Sequence, residues 1–161
     1  MERERIARVD LHSPRPSSAA VREMAEAART KYVLIQLTDN TVSLGYGAEQ
    51  RLLQVADSTG AVMVYTDFYE TEEGQRTKHP VIDYQEGALR DDFDFGPLVL
   101  VRTDAIQRCD LGANWLYGGW HDLRLQLSRQ GAIFHLNEYL YTEEKQPVSA
   151  EGERQFDYVD P

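Results

Sequence analysis

The spacing of apolar residues predicts two successive helix–strand units in the first half of the chain. Serines at 17–18 offer an N-cap oxygen, and the residues after them repeat at the three-and-four spacing of a helix face. The β-branched and aliphatic run at 32–37 suits a buried strand. A second helix over 48–58, closed by a glycine, precedes a second apolar run over 61–68. Helices that alternate with continuous apolar strands indicate an α/β sheet with parallel neighbours.

The pattern changes in the second half of the chain. Residues 71–96 are polar, punctuated by glycine and proline, and have no helical period, which predicts a hairpin or a long ordered loop. Residues 97–102 form a third apolar run, and residues 116–131 carry the spacing of an amphipathic helix. The stretches AIFHL and EYLYTEE are predicted as short strands.

These elements predict one α/β fold, a three-layer domain with a mixed, mainly parallel sheet flanked by helices. The predicted domain covers residues 17–145. Residues 1–16 mix charges with two prolines and are expected to form a flexible N-terminal arm. Residues 146–161 are expected to form an extended C-terminal tail.

Composition narrows the class of protein. The 161 residues include 17 Lys and Arg against 27 Asp and Glu, a formal charge of −10, and so acidic a surface repels nucleic acid and anionic lipid. A single cysteine, Cys109, excludes an internal disulfide framework and favours a reducing compartment. No apolar run is long enough to span a membrane. The charged start MERERIARVD lacks the apolar region of a secretory signal, so the expected location is the cytoplasm.

Two acids follow the first two apolar runs. Asp39 comes just after the first run, and Asp67 ends the second. Ligands of open α/β sheets bind at the carboxyl ends of strands, and hard divalent cations prefer carboxylate oxygens. If the two strands are parallel neighbours, both acids lie on one edge of the sheet, with Glu70 close enough to contribute. We therefore predict a Mg²⁺ or Mn²⁺ site at Asp39 and Asp67; the alternative is that these acids only terminate strands and form turns.

The densest acidic feature is RDDFDFG, at residues 90–96. In extended backbone, Phe93 and Phe95 lie on one face, and Asp92 and Asp94 lie on the other. Carboxylates this close repel one another and favour a cation, an arginine or a raised pKa. The alternative is a loop held by its two phenylalanines, with solvated acids.

The run WLYGGWHDLRL opens the last predicted helix. Asp122 can act there as a general base, or as an acid that the helix dipole favours in the first turn. Arg124 is placed where an acid on the same surface can pair with it. The histidines have no zinc-ligand spacing, and Cys109 has no evident basic activator, so we expect it to pack rather than react.

Taken in order, these pieces resemble the second half of a family 2 glycosyltransferase domain. The matching pieces are the helix before KYVLIQLTDN, the helix and strand ending AVMVYTD, the strand PLVLVR, the helix around WHDLRLQLSRQG, and AIFHLNEYLY. HPVIDYQEGALRDDFDFG, GGWHDLRL and ERQFDYVDP are similar to an accessory module that precedes a complete glycosyltransferase domain in some bacterial proteins. The resemblance implies transfer of a sugar from a nucleotide-sugar donor to a hydroxyl of a glycan acceptor, with a neighbouring transferase domain as a partner.

The chain departs from the family at the positions that carry its chemistry. The family's acidic motif falls on Leu37, Thr38 and Asp39, so only Asp39 retains a carboxylate. The family's catalytic acids fall near Gly119 and Trp120, neither of which can remove a proton. The nucleotide-binding first half has no counterpart in these residues. Loss of a general base removes a factor of about 10²–10⁴ in rate, so the isolated chain is expected to be a partial or accessory domain with weak activity.

On this interpretation Asp39 and Asp67 hold the cation of the diphosphate, and Asp91 or Asp92 supplies the catalytic base. The residues expected on the substrate side are Asp94, Trp120 and Asp122. Two alternatives stay open. One is a non-catalytic glycan-binding or docking module, motivated by the missing acids and by aromatic side chains able to stack on sugar rings. The other is a metal-dependent hydrolase of nucleotide sugars built on the same acids.

Overall fold

The computed structural model describes residues 6–81, 95–112, 114–116 and 118–145. Its elements alternate between helices and strands along most of the chain. In chain order they are β1 (Ile6–Asp10), α1 (Ser18–Ala27), β2 (Tyr32–Gln36), β3 (Thr41–Leu44), α2 (Ala48–Thr59), β4 (Met63–Glu72), β5 (Gln75–His79), β6 (Leu98–Arg102), α3 (Thr103–Gln107), α4 (Gly119–Ser128) and β7 (Ile133–Glu144).

The helix boundaries follow capping signals in the sequence. Ser17 caps α1, and its hydroxyl accepts a hydrogen bond from the Ala20 N–H. Gly60 closes α2 at a φ of 68°, a left-handed conformation that glycine adopts without a steric penalty. The three helices predicted from apolar spacing are therefore confirmed as α1, α2 and α4, each somewhat different in length. The short helix α3 follows β6 directly and was not anticipated.

The seven strands of the described residues belong to one sheet in the order β1-β2-β6-β4-β7-β3, with β5 paired to the second half of β4. Strands β1, β2, β4 and β7 run in one direction, and β3, β5 and β6 run in the other. The predicted α/β fold with a mixed sheet flanked by helices is confirmed. The sheet is not mainly parallel as expected, because four of the six strand pairings in the described residues are antiparallel. One adjacency differs from expectation: β2 and β4 are not neighbours, because β6 lies between them and pairs antiparallel with both.

The central strands supply the core of the domain. β2 is buried along its whole length, as are the first four residues of β6 and the first six of β4. Successive strand residues point to opposite faces, so burial of every residue means that both faces of the sheet are covered. Helix α1 packs against α3 and α4, and α2 packs against β4 and β7. This packing fixes the strand ends on which the candidate residues lie.

Residues 6–10, expected as part of a flexible arm, form β1 instead. The strand pairs in parallel with β2, in a register that sets Ile6 beside Tyr32. Arg8 reinforces the pairing, because its Nη2 donates to Gln36 Oε1 at 2.6 Å and to the Val42 carbonyl at 2.9 Å. The prediction was wrong here because a strand at the edge of a sheet tolerates charged side chains, and its apolar alternation is correspondingly weak.

The stretch predicted as a hairpin or ordered loop contains a hairpin in its described part. β4 and β5 pair around a two-residue turn at Glu73 and Gly74, where φ is 52° and 82°. Positive φ at both positions matches the turn twist of tight hairpins, and glycine favours the second position. Two further elements differ from expectation. Residues 41–44, for which no element was predicted, form β3, and β7 is one continuous strand where two short ones were expected.

Candidate functional site

The strands that run in the same direction bring their carboxyl ends to one edge of the sheet, which we call the carboxyl edge. Asp39 lies three residues beyond the end of β2, and Asp10 is the last residue of β1. The sequence predicted Asp67 at the end of its strand, but it lies inside β4, because β4 continues to Glu72. The register between β4 and β7 shifts on both sides of Asp67, so a bulge sets this residue apart from its neighbours.

Asp67 is buried and hydrogen-bonded. It is 5% exposed, and its Oδ1 accepts a hydrogen bond from the Val81 N–H at 2.9 Å. The same oxygen lies 2.8 Å from Nε2 of His135, whose side chain is also buried. A carboxylate oxygen accepts hydrogen bonds, so Nε2 of His135 is the donor in this pair. The two contacts compensate the loss of hydration that burial imposes on the carboxylate.

The imidazole of His135 belongs to a cluster of rings with Tyr65 and Phe95. Its imidazole stacks on Tyr65 with centroids 4.7 Å apart and planes 5° apart. Tyr65 meets Phe95 edge to face at 4.8 Å, and the guanidinium of Arg124 lies 5.1 Å from the Phe95 centroid. Sequence reasoning set His135 aside because it tested the histidines for zinc spacing. The contact with Asp67 depends on strand register, which apolar spacing does not reveal.

Asp39 lies in the opposite environment. Its side chain is 79% exposed, and its Oδ1 lies 3.1 Å from Nδ1 of His12. His12 adopts a positive φ of 57°, and its N–H donates to Asp10 Oδ1 at 2.8 Å. Asp10, His12 and Asp39 thus form a small exposed group of ionisable side chains, which we call the Asp39 group. Its members lie at or just beyond the carboxyl ends of the adjacent parallel strands β1 and β2. Of the three, the sequence predicted only Asp39 as a site residue.

Glu70 takes part in a separate cluster, near the end of β4. His79 Nδ1 lies 2.9 Å from Glu70 Oε1, and Lys145 Nζ lies 2.8 Å from Glu70 Oε2. Burial, the largest single effect, raises the pKa of Glu70. The hydrogen bonds from Lys145 and His79 lower it, and together they outweigh burial, so the net shift is downward. The hydrogen bond to Glu70 is also the main reason that the pKa of Lys145 is raised. Glu70 is therefore committed to an ion pair.

Trp120 and Asp122 both lie in α4. Trp120 is 5% exposed and belongs to the hydrophobic core, so its ring does not face solvent. Asp122 lies in the first turn, where the helix dipole favours an acid, and its Oδ1 is 3.4 Å from Gln126 Nε2. Burial, followed by the charge of Asp122, raises the pKa of the Cys109 thiol to about 11, so this cysteine is a packing residue.

Gly119 cannot carry an acidic side chain in this fold. A Cβ at this position would lie 2.6 Å from the Ser18 nitrogen and 2.7 Å from the Ser17 carbonyl carbon. Both atoms belong to the backbone at the start of α1, so neither can move aside as a flexible side chain would. The close approach of α1 and α4 therefore requires glycine at one of the positions where the family resemblance places catalytic acids.

The remaining acidic candidates, Asp91, Asp92 and Asp94, lie outside the described residues, and their roles stay predictions. The described residues on either side of them, Val81 and Phe95, contact Asp67 and the adjoining Tyr65 respectively. Val81 donates its N–H to Asp67, and Phe95 packs on Tyr65.

Within the described ranges no group of three or more histidine, cysteine, aspartate or glutamate side chains is arranged to hold a metal ion. Asp67 Oδ1 is already engaged by two hydrogen bonds, and Asp39 by His12. A divalent cation at Asp39 and Asp67 therefore stays a prediction. In the same part of the chain no helix is long and apolar enough to cross a membrane.

Comparison with known proteins identifies the fold. No protein-family model and no curated protein sequence matches the chain. Among solved structures, the chain is similar to S. aureus TarS residues 1–349 in complex with UDP-GlcNAc, with a TM-score of 0.51 and 11% identity. The match covers 85% of this chain and 41% of that one, so the chain spans less than half the length of this neighbour. TarS is a glycosyltransferase, and the fold of the chain is glycosyltransferase-like.

Proposed function

We propose that this chain is a glycosyltransferase domain of the family 2 type, partial or accessory to a neighbouring transferase domain. It would take part in moving a sugar from a nucleotide-sugar donor to an acceptor hydroxyl. The observation that supports this most directly is the shared fold with TarS, whose structure contains UDP-GlcNAc. The proposal goes beyond that similarity, because a fold hosts many activities and only the site determines which one is present.

The carboxyl edge of the sheet is the proposed donor side. Ligands of open α/β sheets bind where strands end and loops converge. Asp39 is the acid best placed for this role, because its carboxylate is exposed and held by one exposed histidine. A cation that bridges Asp39 and a diphosphate would neutralise the charge that otherwise opposes binding to an acidic chain.

The proposed base is Asp91 or Asp92. Because Gly119 cannot carry a side chain, an acid must come from elsewhere if the domain is catalytic. In the transfer step the acceptor hydroxyl loses its proton to this carboxylate. The acceptor oxygen then bonds to the sugar carbon, whose bond to the diphosphate breaks, and the nucleoside diphosphate leaves. Asp94 is the further proposed contact on the acceptor side.

Isothermal titration calorimetry with UDP-, GDP- and dTDP-sugars, each with and without Mn²⁺, tests donor binding. We expect one nucleotide class to bind and Asp39→Asn to weaken it about tenfold, as for loss of a charge-assisted contact. Glu26→Gln is the matched control, because Glu26 is also an exposed acid but lies before β2, away from the carboxyl edge. Flat heats over the whole panel, or equal weakening by both variants, would contradict the proposal.

A non-catalytic glycan-binding or docking module is the second candidate function. One observation favours it: Asp67, a predicted site acid, is buried in hydrogen bonds within the fold. The double variant Asp91→Asn/Asp92→Asn separates the two functions. Loss of sugar transfer with unchanged folding supports catalysis. Glycan binding that the double variant leaves nearly intact, in a chain whose wild type shows no turnover, supports the module.

A further inference from the structure

A positively charged pocket lies at the edge of the sheet opposite the carboxyl edge. It is formed where α1 ends and β2 begins, beside the end of β6 and the start of α3. These ends meet because β6 runs antiparallel to β2, in a register that pairs Tyr32 with Arg102. The pocket has a volume of about 390 Å³, enough for a small molecule. Its charged lining residues are Arg29, Lys31, Arg102 and Asp104.

The two arginines are held in place by backbone carbonyls and keep donors in reserve. Arg29 Nη1 donates to the carbonyls of Glu26 and Ala28, at 2.5 and 2.9 Å. Arg102 Nε donates to Asp104 Oδ1 at 2.6 Å, and its Nη1 donates to the Gly60 carbonyl at 3.2 Å. Nη2 of both arginines has no hydrogen-bond partner among the described residues. The guanidinium groups are thus pre-positioned, which lowers the entropic cost of binding an anion.

Two further donors belong to the same pocket. Lys31 Nζ lies 3.2 Å from Asp57 Oδ1, in a partly exposed ion pair. Thr103 is buried, and its hydroxyl oxygen has no hydrogen-bond partner in the described part of the chain. A buried polar atom without a partner costs about 1–3 kcal/mol, so its retention in a pocket lining is itself a sign of a ligand.

The local charge is the reverse of the charge of the chain. Three cations, Arg29, Lys31 and Arg102, line the pocket with one carboxylate, Asp104, and Lys31 also pairs with a second carboxylate, Asp57. Asp104 is itself paired, at 2.6 Å to Arg102 Nε and 3.5 Å to Arg108 Nη2. The chain as a whole carries a formal charge of −10. A locally positive concavity in so acidic a chain concentrates small anions.

We propose that this pocket binds a phosphate-type oxyanion, either free phosphate or a phosphate monoester. Two guanidinium-bearing residues, a lysine and a threonine line it, and a tetrahedral oxyanion offers several acceptor oxygens to such a set. A neutral sugar would offer no negative charge to Arg29, whose hydrogen bonds within the described residues go to backbone carbonyls. The site is separate from the proposed donor edge, so its existence does not depend on the proposed function.

Amide chemical shifts in a ¹H–¹⁵N NMR titration test the site directly. One arm uses inorganic phosphate and the other uses glucose 6-phosphate, both against sodium chloride at equal ionic strength. We expect saturable shifts at Lys31, Arg102 and Thr103 in at least one phosphate arm. Tighter binding of the ester identifies the monoester as the ligand class, and equal or weaker binding identifies free phosphate.

Variants connect the shifts to the pocket. Arg29→Gln is expected to raise the dissociation constant about tenfold, through loss of a charged donor. Thr103→Val is expected to raise it about threefold without loss of stability, because it removes a hydroxyl that has no partner in the free chain. Arg76→Gln, which removes an exposed arginine on β5, is the control and should leave it unchanged.

Three results would overturn the proposal. The first is identical shifts with chloride, which would indicate ionic strength alone. The second is the absence of saturation in both phosphate arms. The third is equal weakening by Arg29→Gln and Arg76→Gln, which would indicate non-specific attraction to any surface cation.

Discussion

Asp39 and Asp67 share one sequence signature, an acid at the end of an apolar run, and the fold gives them opposite environments. Asp67 lies in β4 and is buried beside β7 and Val81. Its described hydrogen-bond partners are the Val81 N–H and His135 of β7. Asp39 is exposed and contacts one exposed histidine. An acid whose hydration has been replaced by protein donors stabilises the fold, whereas an acid still in water can exchange that water for a ligand.

The largest expected effect comes from removing the buried acid. Asp67→Ala leaves the Val81 N–H and the His135 Nε2–H without an acceptor, and unsatisfied buried donors cost about 1–3 kcal/mol each. We expect the free energy of unfolding to fall by about 3 kcal/mol. Asp39→Ala, the matched control, should change it by less than about 0.5 kcal/mol. Urea denaturation followed by circular dichroism measures both, and equal effects would remove the contrast between the two acids.

Gly119→Ala should have the next largest effect. The added Cβ meets the backbone of Ser17 and Ser18, so α1 and α4 must separate, and overpacking of this kind costs about 1–3 kcal/mol. Gly112→Ala is the control, because the Cβ there meets only an Asp110 carboxylate oxygen at 3.2 Å, and that side chain can move. Thermal unfolding of the two variants measures the difference. A Gly119→Ala protein as stable as Gly112→Ala would show that an acid at 119 is structurally permitted after all.

Strands that are buried on both faces could be predicted from the sequence, whereas strands at the edges of the sheet, which depend on pairing with one neighbour, could not. The runs that became β2, β4 and β6 are apolar throughout because both faces of the sheet are covered, so their positions could be read directly. β1 and β3 lie at the two ends of the strand order, where one neighbour suffices and charged residues are tolerated. Their short, mixed patterns resemble loops.

The candidate site shows the same division. Position after a strand correctly brought Asp39 to the carboxyl edge, because direction along the sheet follows from the α/β pattern. The contact between Asp67 and His135 required the register of β4 on β7, including the bulge beside Asp67. The group formed by Asp10, His12 and Asp39 required β1, which the sequence did not reveal. Contacts between strands that are far apart in the sequence are set by the whole fold rather than by the local spacing of apolar residues.

A double-mutant cycle measures the buried pair itself. Asp67→Asn and His135→Gln, made singly and together, should give a coupling energy of about 1–2 kcal/mol, because the two side chains share a hydrogen bond shielded from water. The parallel cycle on Asp39→Asn and His12→Gln, an exposed pair, should give no measurable coupling. Urea denaturation of all variants supplies the data. Equal coupling in the two cycles would mean that burial does not distinguish these acids.

Glu70 lies between the two extremes, three residues after Asp67 on the same strand, and gives the smallest expected effect. Its pKa is lowered in the folded chain, so its ion pair stabilises the fold above the ordinary pKa of a glutamate, about 4.3, and this stabilisation is lost as pH falls through the lowered value. The pKa of Lys145 is raised, so the same pair contributes in full below the ordinary lysine value of about 10.4, and its contribution is lost as pH rises through the raised value.

Because both side chains of this pair are partly exposed, water screens it, and we expect Glu70→Gln to cost about 0.5 kcal/mol at pH 7. The difference from wild type should shrink as the pH is lowered below about 4, because wild-type Glu70 is then protonated as well. Glu72→Gln, an exposed acid on the same strand, should cost less at pH 7. Urea denaturation at several pH values measures these differences. A cost of Glu70→Gln that does not change between pH 7 and acid pH would contradict this expectation. It would show that the Glu70 side chain contributes by packing rather than by its charge.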